Sequence, residues 1–123
     1  MKKLFLVSLM MLAGSAWAEW VMYEKSDSGT FYYDPASIRK DGHIRRVWTL
    51  QSYSTPGDKG TMSSRVRTEY DCKEERFTNL YLSNHSEPMA GGEVLISGSP
   101  DTKWNYIPPG SIAETLLKIV CAK

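Results

Sequence analysis

Between Met62 and Cys72 the chain alternates. Met62, Ser64, Val66, Thr68, Tyr70 and Cys72 fall on one side of a period-two pattern, and Ser63, Arg65, Arg67, Glu69 and Asp71 on the other. A strand of this kind has a mostly apolar face that must be covered and a charged face that meets water. The cysteine at its end lies on the face to be covered. The chain has one other cysteine, Cys121. If the two are oxidised, whatever carries Cys121 is tied to that face.

Residues 108–123 read as an amphipathic helix. Pro108, Pro109 and Gly110 stop the preceding segment, since proline has no amide to give a strand ladder. Ser111 with Glu114 three residues later is a capping box, the serine accepting from the Glu114 amide and the carboxylate reaching back to Ser111. Ile112, Leu116, Ile119 and Val120 form one apolar stripe, widened by Ala113 and Leu117. Lys118 and Lys123 lie toward the C-terminal end, where the helix dipole favours cations. A helix this short is marginal alone, so its stripe must dock. Cys121 lies at the edge of the stripe.

The first 18 residues read as a secretory leader: Lys2 and Lys3, an apolar run from Leu4 to Leu12, and the small-x-small site Ala16-Trp17-Ala18. The apolar run is too short to span a bilayer. No cysteine follows the cleavage site, so nothing marks lipid attachment there. Residues 19–123 are expected to form one domain with a modest core. In an exported chain a disulfide is the default state of two cysteines, and a Cys72–Cys121 bond is expected. Loss of Lys2 and Lys3 leaves 13 basic against 14 acidic residues. This near-neutral balance argues against a nucleic-acid partner and gives no strong field toward a membrane.

Taken in order, Trp20–Tyr23 and Thr30–Tyr33 are short strands. Asp34-Pro35 starts a single helical turn. Asp41-Gly42 is a tight turn into a long strand, Ile44–Tyr53. The turn-rich stretch Ser54–Gly60 joins it to the alternating strand. A hairpin centred near Gly57 would pair Arg45 with Glu69 and bring Trp48 and Leu50 to the inner face beside Val66 and Tyr70. Glu75–Ser83 is expected to turn straight back, with Phe77 and Tyr81 inward. Asn84–Gly92 reads as a loop and Glu93–Ser97 as a strand, and Trp104 is expected to cap one end of the core. The expected fold is α+β: an antiparallel sheet of about six strands with the C-terminal helix packed on one face, held by one disulfide.

Motifs for chemistry are sparse. His43 and His85 read as exposed, without a nucleophile or carboxylate in a recognisable arrangement. No GxSxG occurs, and the cysteines are assigned to the disulfide. Glu69, Asp71, Glu74 and Glu75 read as a solvated acidic edge rather than a glycosidase pair. Gly91-Gly92 alone is no phosphate cradle. Two cysteines and two scattered histidines make no zinc site. No catalytic, cofactor or metal residue is assigned. Arg39, Lys40, Arg45, Arg46, Arg65 and Arg67 give the sheet a basic surface that, interleaved with Glu69 and Asp71, reads as a solvated face before a docking patch. Arg45, Arg65, Arg67 and Glu69 are its candidate binding residues, better suited to acidic protein or sulfated glycan than to nucleic acid.

The YYD-turn-SI segment Tyr32–Ile38, the V-W-x-L strand Val47–Leu50 and the S-x-R-x-x-x-E-Y-D-C strand Ser63–Cys72 form an ordered set. Tyr81, Gly91-Gly92 before Val94, Trp104, and P-G-S to V-C from Pro109 to Cys121 complete it. In this set the chain resembles the surface-adhesin protein E family of Gram-negative bacteria across essentially the whole mature domain. The resemblance implies an antiparallel sheet with a disulfide-held C-terminal helix, and binding of host-matrix proteins such as vitronectin, laminin and plasminogen. The expected function is a non-enzymatic exported binding module of the cell envelope, in the periplasm or at the cell surface, with a protein partner. A soluble periplasmic accessory protein binding an envelope component is the alternative. Leu80 and Leu82, if outward, would add a contact surface for an oligomer.

Overall fold

The computed structural model describes residues 19–100 and 103–122. The leader expectation lies outside the described residues. Eight strands and one helix follow in order: β1 Val21–Ser26, β2 Gly29–Tyr33, β3 Arg39–Asp41, β4 Ile44–Tyr53, β5 Ser63–Asp71, β6 Arg76–Glu87, β7 Gly91–Gly98, β8 Asn105–Tyr106 and α1 Ile112–Cys121. They form one antiparallel sheet in the order β1-β2-β4-β5-β6-β7, with β3 beside β4 and β8 beside β6. The two strands beyond the expected six are these short flanking pieces.

Local chemistry explains the path. Gly29 begins β2 where a Cβ would collide with the Ser52 carbonyl. Asp34 accepts from the Ala36 amide (3.1 Å) and Pro35 opens a single 3-10 turn, as the sequence predicts. The turn is pinned to β4: the Asp34 amide donates to the Trp48 carbonyl, and the Trp48 amide to Ser37 Oγ. β2 and β3 therefore continue one another along the same edge of β4. Gly42, at φ +60°, supplies the left-handed residue of the β3–β4 turn.

α1 lies across one face of the sheet, the inner face. Leu116, Leu117 and Val120 are buried against Tyr33, Val47 and Tyr70, with Phe77, Ile38 and Ile107 packed around them. Each of the three helix residues contributes roughly 1.5–3 kcal/mol by burial. Ser111 caps the helix by accepting from the Glu114 amide (3.2 Å). The Glu114 carboxylate accepts from the amide of Gly110 (3.0 Å), one residue earlier than the expected Ser111. The Cys72–Cys121 disulfide ties the end of α1 to the end of β5.

The β4–β5 register corrects the sequence reading by one residue. Arg45 stands opposite Tyr70, Arg46 opposite Glu69, Trp48 opposite Arg67 and Leu50 opposite Arg65. Paired residues share a face, so a one-residue slip exchanges the two faces of β4. Val47 and Thr49 are inward, while Trp48 and Leu50 are outward. A register shift on β6, between the partners of Arg67 and Thr68, leaves Leu80 unpaired and turns Tyr81 outward, whereas Phe77 stays inward opposite Tyr70. The segment read as the loop Asn84–Gly92 instead continues β6 to Glu87 and closes through a 3-10 turn at Pro88–Ala90. Trp104 does not cap the core: it is 37% exposed, with the Arg76 guanidinium 4.5 Å from its ring centre.

Candidate functional site

Alternation sends Arg46, Trp48 and Leu50 of β4 and Arg65, Arg67 and Glu69 of β5 to the outer face, joined by Thr78, Tyr81, Ser83 and His85 of β6. The centre of this face is aromatic and cationic. The Arg65 guanidinium lies 3.9 Å from the centre of the Trp48 ring. Trp48 meets Tyr81 edge to face, 6.0 Å between centroids at 76°. Arg67 stands in register between Trp48 and Tyr81. Among the described residues, neither Arg65 nor Arg67 forms an ion pair. Stacking on an indole face holds a guanidinium in place without neutralising it.

Of the expected binding residues, Arg65, Arg67 and Glu69 share this face. Glu69 is spent on Arg46, whose Nε lies 2.7 Å from its carboxylate. Arg45 is on the opposite face, where its guanidinium donates to the carbonyls of Gly42 (2.8 Å) and Ile44 (3.0 Å). Arg46 therefore occupies the place expected for Arg45. Trp48 and Tyr81 are the residues that the sequence reading turned inward. The signal for both lies in spacing: a loop whose centre is displaced by half a residue and an unpaired Leu80.

One end of the face is closed by polar contacts. The Pro88–Ala90 turn folds back over β4 and β5. Ser63, fully buried, holds it by donating to the Glu87 carbonyl (2.7 Å) and accepting from the Ala90 amide (2.9 Å). His85 is buried, not exposed, and hydrogen-bonds Ser83 Oγ through Nε2 (2.8 Å). Its Nδ1 is buried with no partner among the described residues. Burial first, and the nearby Arg65 second, hold the His85 imidazole below its ordinary pKa.

At the other end Asp71 is buried rather than part of a solvated acidic edge. Burial pushes its carboxyl pKa up. The Glu74 amide, the Arg76 guanidinium (3.0 Å), the Lys73 amide and His43 outweigh that and leave it below the ordinary carboxylate value. Its role is to fix the β5–β6 turn. Among the described residues there is no cluster of His, Cys, Asp or Glu set to hold a metal, and no helix long and apolar enough to cross a membrane.

The family model for surface-adhesin protein E matches residues 20–122. Crystal form II of Haemophilus influenzae protein E is 18% identical, with 88% of this chain and 91% of that chain covered and a TM-score of 0.63. Its selenomethionine form is 17% identical over 88% and 89%, with a TM-score of 0.62. Protein E from non-typeable Haemophilus influenzae is 16% identical over 90% and 82%, with a TM-score of 0.57. No curated protein matches the chain. The three structures share this fold, and the match of the family model over nearly all of the described residues establishes that the chain belongs to the surface-adhesin protein E family.

Proposed function

We propose that this chain is a non-enzymatic binding module exported to the bacterial cell envelope, and that it docks a host-matrix protein through the outer face of its sheet. One observation carries the reading: Arg65 stacked on Trp48, with Tyr81 and the unpaired Arg67 beside it. Arginine and large aromatic residues dominate the energetics of protein interfaces, and the stacking of Arg65 on Trp48 orders its guanidinium before any partner arrives. Two cations without protein counter-charges suit an acidic partner surface. Membership of a surface-adhesin family supports the same reading.

The test is surface plasmon resonance of the oxidised protein over immobilised vitronectin and laminin, comparing wild type with an Arg65→Ala/Arg67→Ala double variant. Binding should weaken about tenfold or more, and its salt dependence should fall with it. Lys118→Ala, on the exposed back of α1, serves as the control. Equal affinity of the double variant and wild type would remove the outer face from the function. Binding to envelope extract but to neither matrix protein would favour the accessory role.

A further inference from the structure

α1 closes only part of the inner face. Beyond its first turn the sheet runs on uncovered, and a cleft of about 280 Å³ opens between Ile112 and Ala113 on one side and the strands on the other. Its floor is a polar row crossing three strands, Thr49 on β4, Thr68 on β5 and Asn79 on β6, with Gln51 next along β4. The two threonine hydroxyls are 3.4 Å apart, and Thr68 donates to Asn79 Oδ1 at 3.5 Å. Aromatic rings make the walls, Tyr23 and Phe31 toward β1 and β2, Tyr70 and Phe77 toward β5 and β6.

Three properties define what would fit. No charged side chain lines the cleft. Burial holds the Tyr23 and Tyr70 phenols above their ordinary pKa, so they stay neutral hydroxyls. Second, the helix N-terminus at the lip is no anion cradle. Its cap is made by Ser111 and Glu114, and the Glu24 carboxylate stands beside Thr115. Third, hydrogen-bonding capacity is unspent. Among the described residues, neither the Gln51 amide nor the Asn79 amide nitrogen nor either phenol makes a hydrogen bond. A lipid tail would strand these groups, and an anion would meet no donor of positive charge. Aromatic walls over a floor of neutral amides and hydroxyls suit a ligand with C–H faces and a hydroxyl rim.

We propose that this cleft binds a neutral saccharide, one pyranose ring entering between the aromatic walls with its hydroxyls on Gln51, Asn79, Thr49 and Thr68. The site lies on the face opposite the Arg65–Trp48 patch and stands independently of it. The ring would come from an envelope glycan or from a host glycan, and two probes separate these sources. L-glycero-D-manno-heptose, a neutral sugar of bacterial envelope lipopolysaccharide that host glycans lack, stands for the first, and lactose for the second.

The experiment is an amide NMR titration of the oxidised protein, residues 19–123, with each sugar to tens of millimolar. At least one sugar should shift the Gln51 and Asn79 side-chain amides and the backbone amides of Tyr70 and Ile112, with a dissociation constant on the order of 1 mM. The Gln51→Met/Asn79→Leu variant should bind at least tenfold more weakly, and Ala113→Trp, which fills the mouth, should block binding. Arg65→Ala/Arg67→Ala should bind sugar like wild type, so failure here is distinguishable from failure of the outer-face reading. Shifts absent with both sugars, or mapping to the outer face, would overturn the proposal, as would undiminished binding in both cleft variants.

Discussion

The two faces of the sheet are buried by opposite means. On the inner face a helix brings Leu116, Leu117 and Val120 onto Val47, Tyr33 and Tyr70, and a disulfide fastens it. On the outer face a three-residue turn comes down over β4 and β5, held by Ser63, with Ser83 and His85 buried as a hydrogen-bonded pair. Apolar burial is non-directional and tolerates small shifts. Polar burial holds only while each donor and acceptor keeps its partner. Leu50, buried on the outer face, keeps the contrast one of degree: the outer face holds more of the burial that solution conditions can alter.

Three experiments bear on that contrast. The largest effect belongs to the disulfide. In the chain-entropy account, a bond between residues 49 apart contributes about 4 kcal/mol, so Cys121→Ala should lower stability by about that amount in urea unfolding. The loss should loosen α1 and leave the Trp48–Tyr81 contact in place. An unchanged midpoint under reducing and oxidising conditions would mean that the inner face needs no fastening. Ser63→Ala comes next. It deprives both the Glu87 carbonyl and the Ala90 amide of their partner, at a cost of about 1.5 kcal/mol. Hydrogen exchange at Ala90 should quicken while the amides of α1 keep their protection. Uniform acceleration would show that the two faces do not open separately.

The smallest effect is a pH slope. His85 has a depressed pKa when folded, so its contribution is present above the unfolded value, about 6.5, and is lost as pH falls through the lower folded value. Acidification below about pH 6.5 should therefore destabilise the wild type, and His85→Gln should flatten that region of the curve. The depressed carboxyl of Asp71 follows the same sign in a separate window. Its contribution is lost only below about pH 4, as pH falls through its folded value. An unaltered slope in His85→Gln would place the acid sensitivity elsewhere.

Much of the inner face is legible in the sequence. The Ser111–Glu114 cap, the stripe on α1 and the alternation ending at Cys72 each specify it by local rules, and they agree with one another. The outer face is less legible because its assignment depends on counting residues between elements. The stretch from Ser54 to Gly60 holds Pro56, Gly57, Asp58 and Gly60, any of which suits a turn. A centre displaced by half a residue exchanges Arg45 for Arg46 and turns Trp48 outward. The unpaired Leu80 does the same for Tyr81. His85 looked exposed because its neighbours Asn84, Ser86 and Glu87 are polar. The long β6 strand and the turn pinned by Ser63 bury it, and neither leaves a trace in local composition.

The place of α1 in the chain has a consequence for how the protein is made. All eight strands of the described residues precede it, and both partners of the disulfide are present only once Cys121 has emerged. Until then Val47, Tyr70 and Phe77 lack the cover that α1 gives them in the folded domain. Cover for these residues arrives with the same segment that closes the disulfide, so docking and oxidation depend on one element.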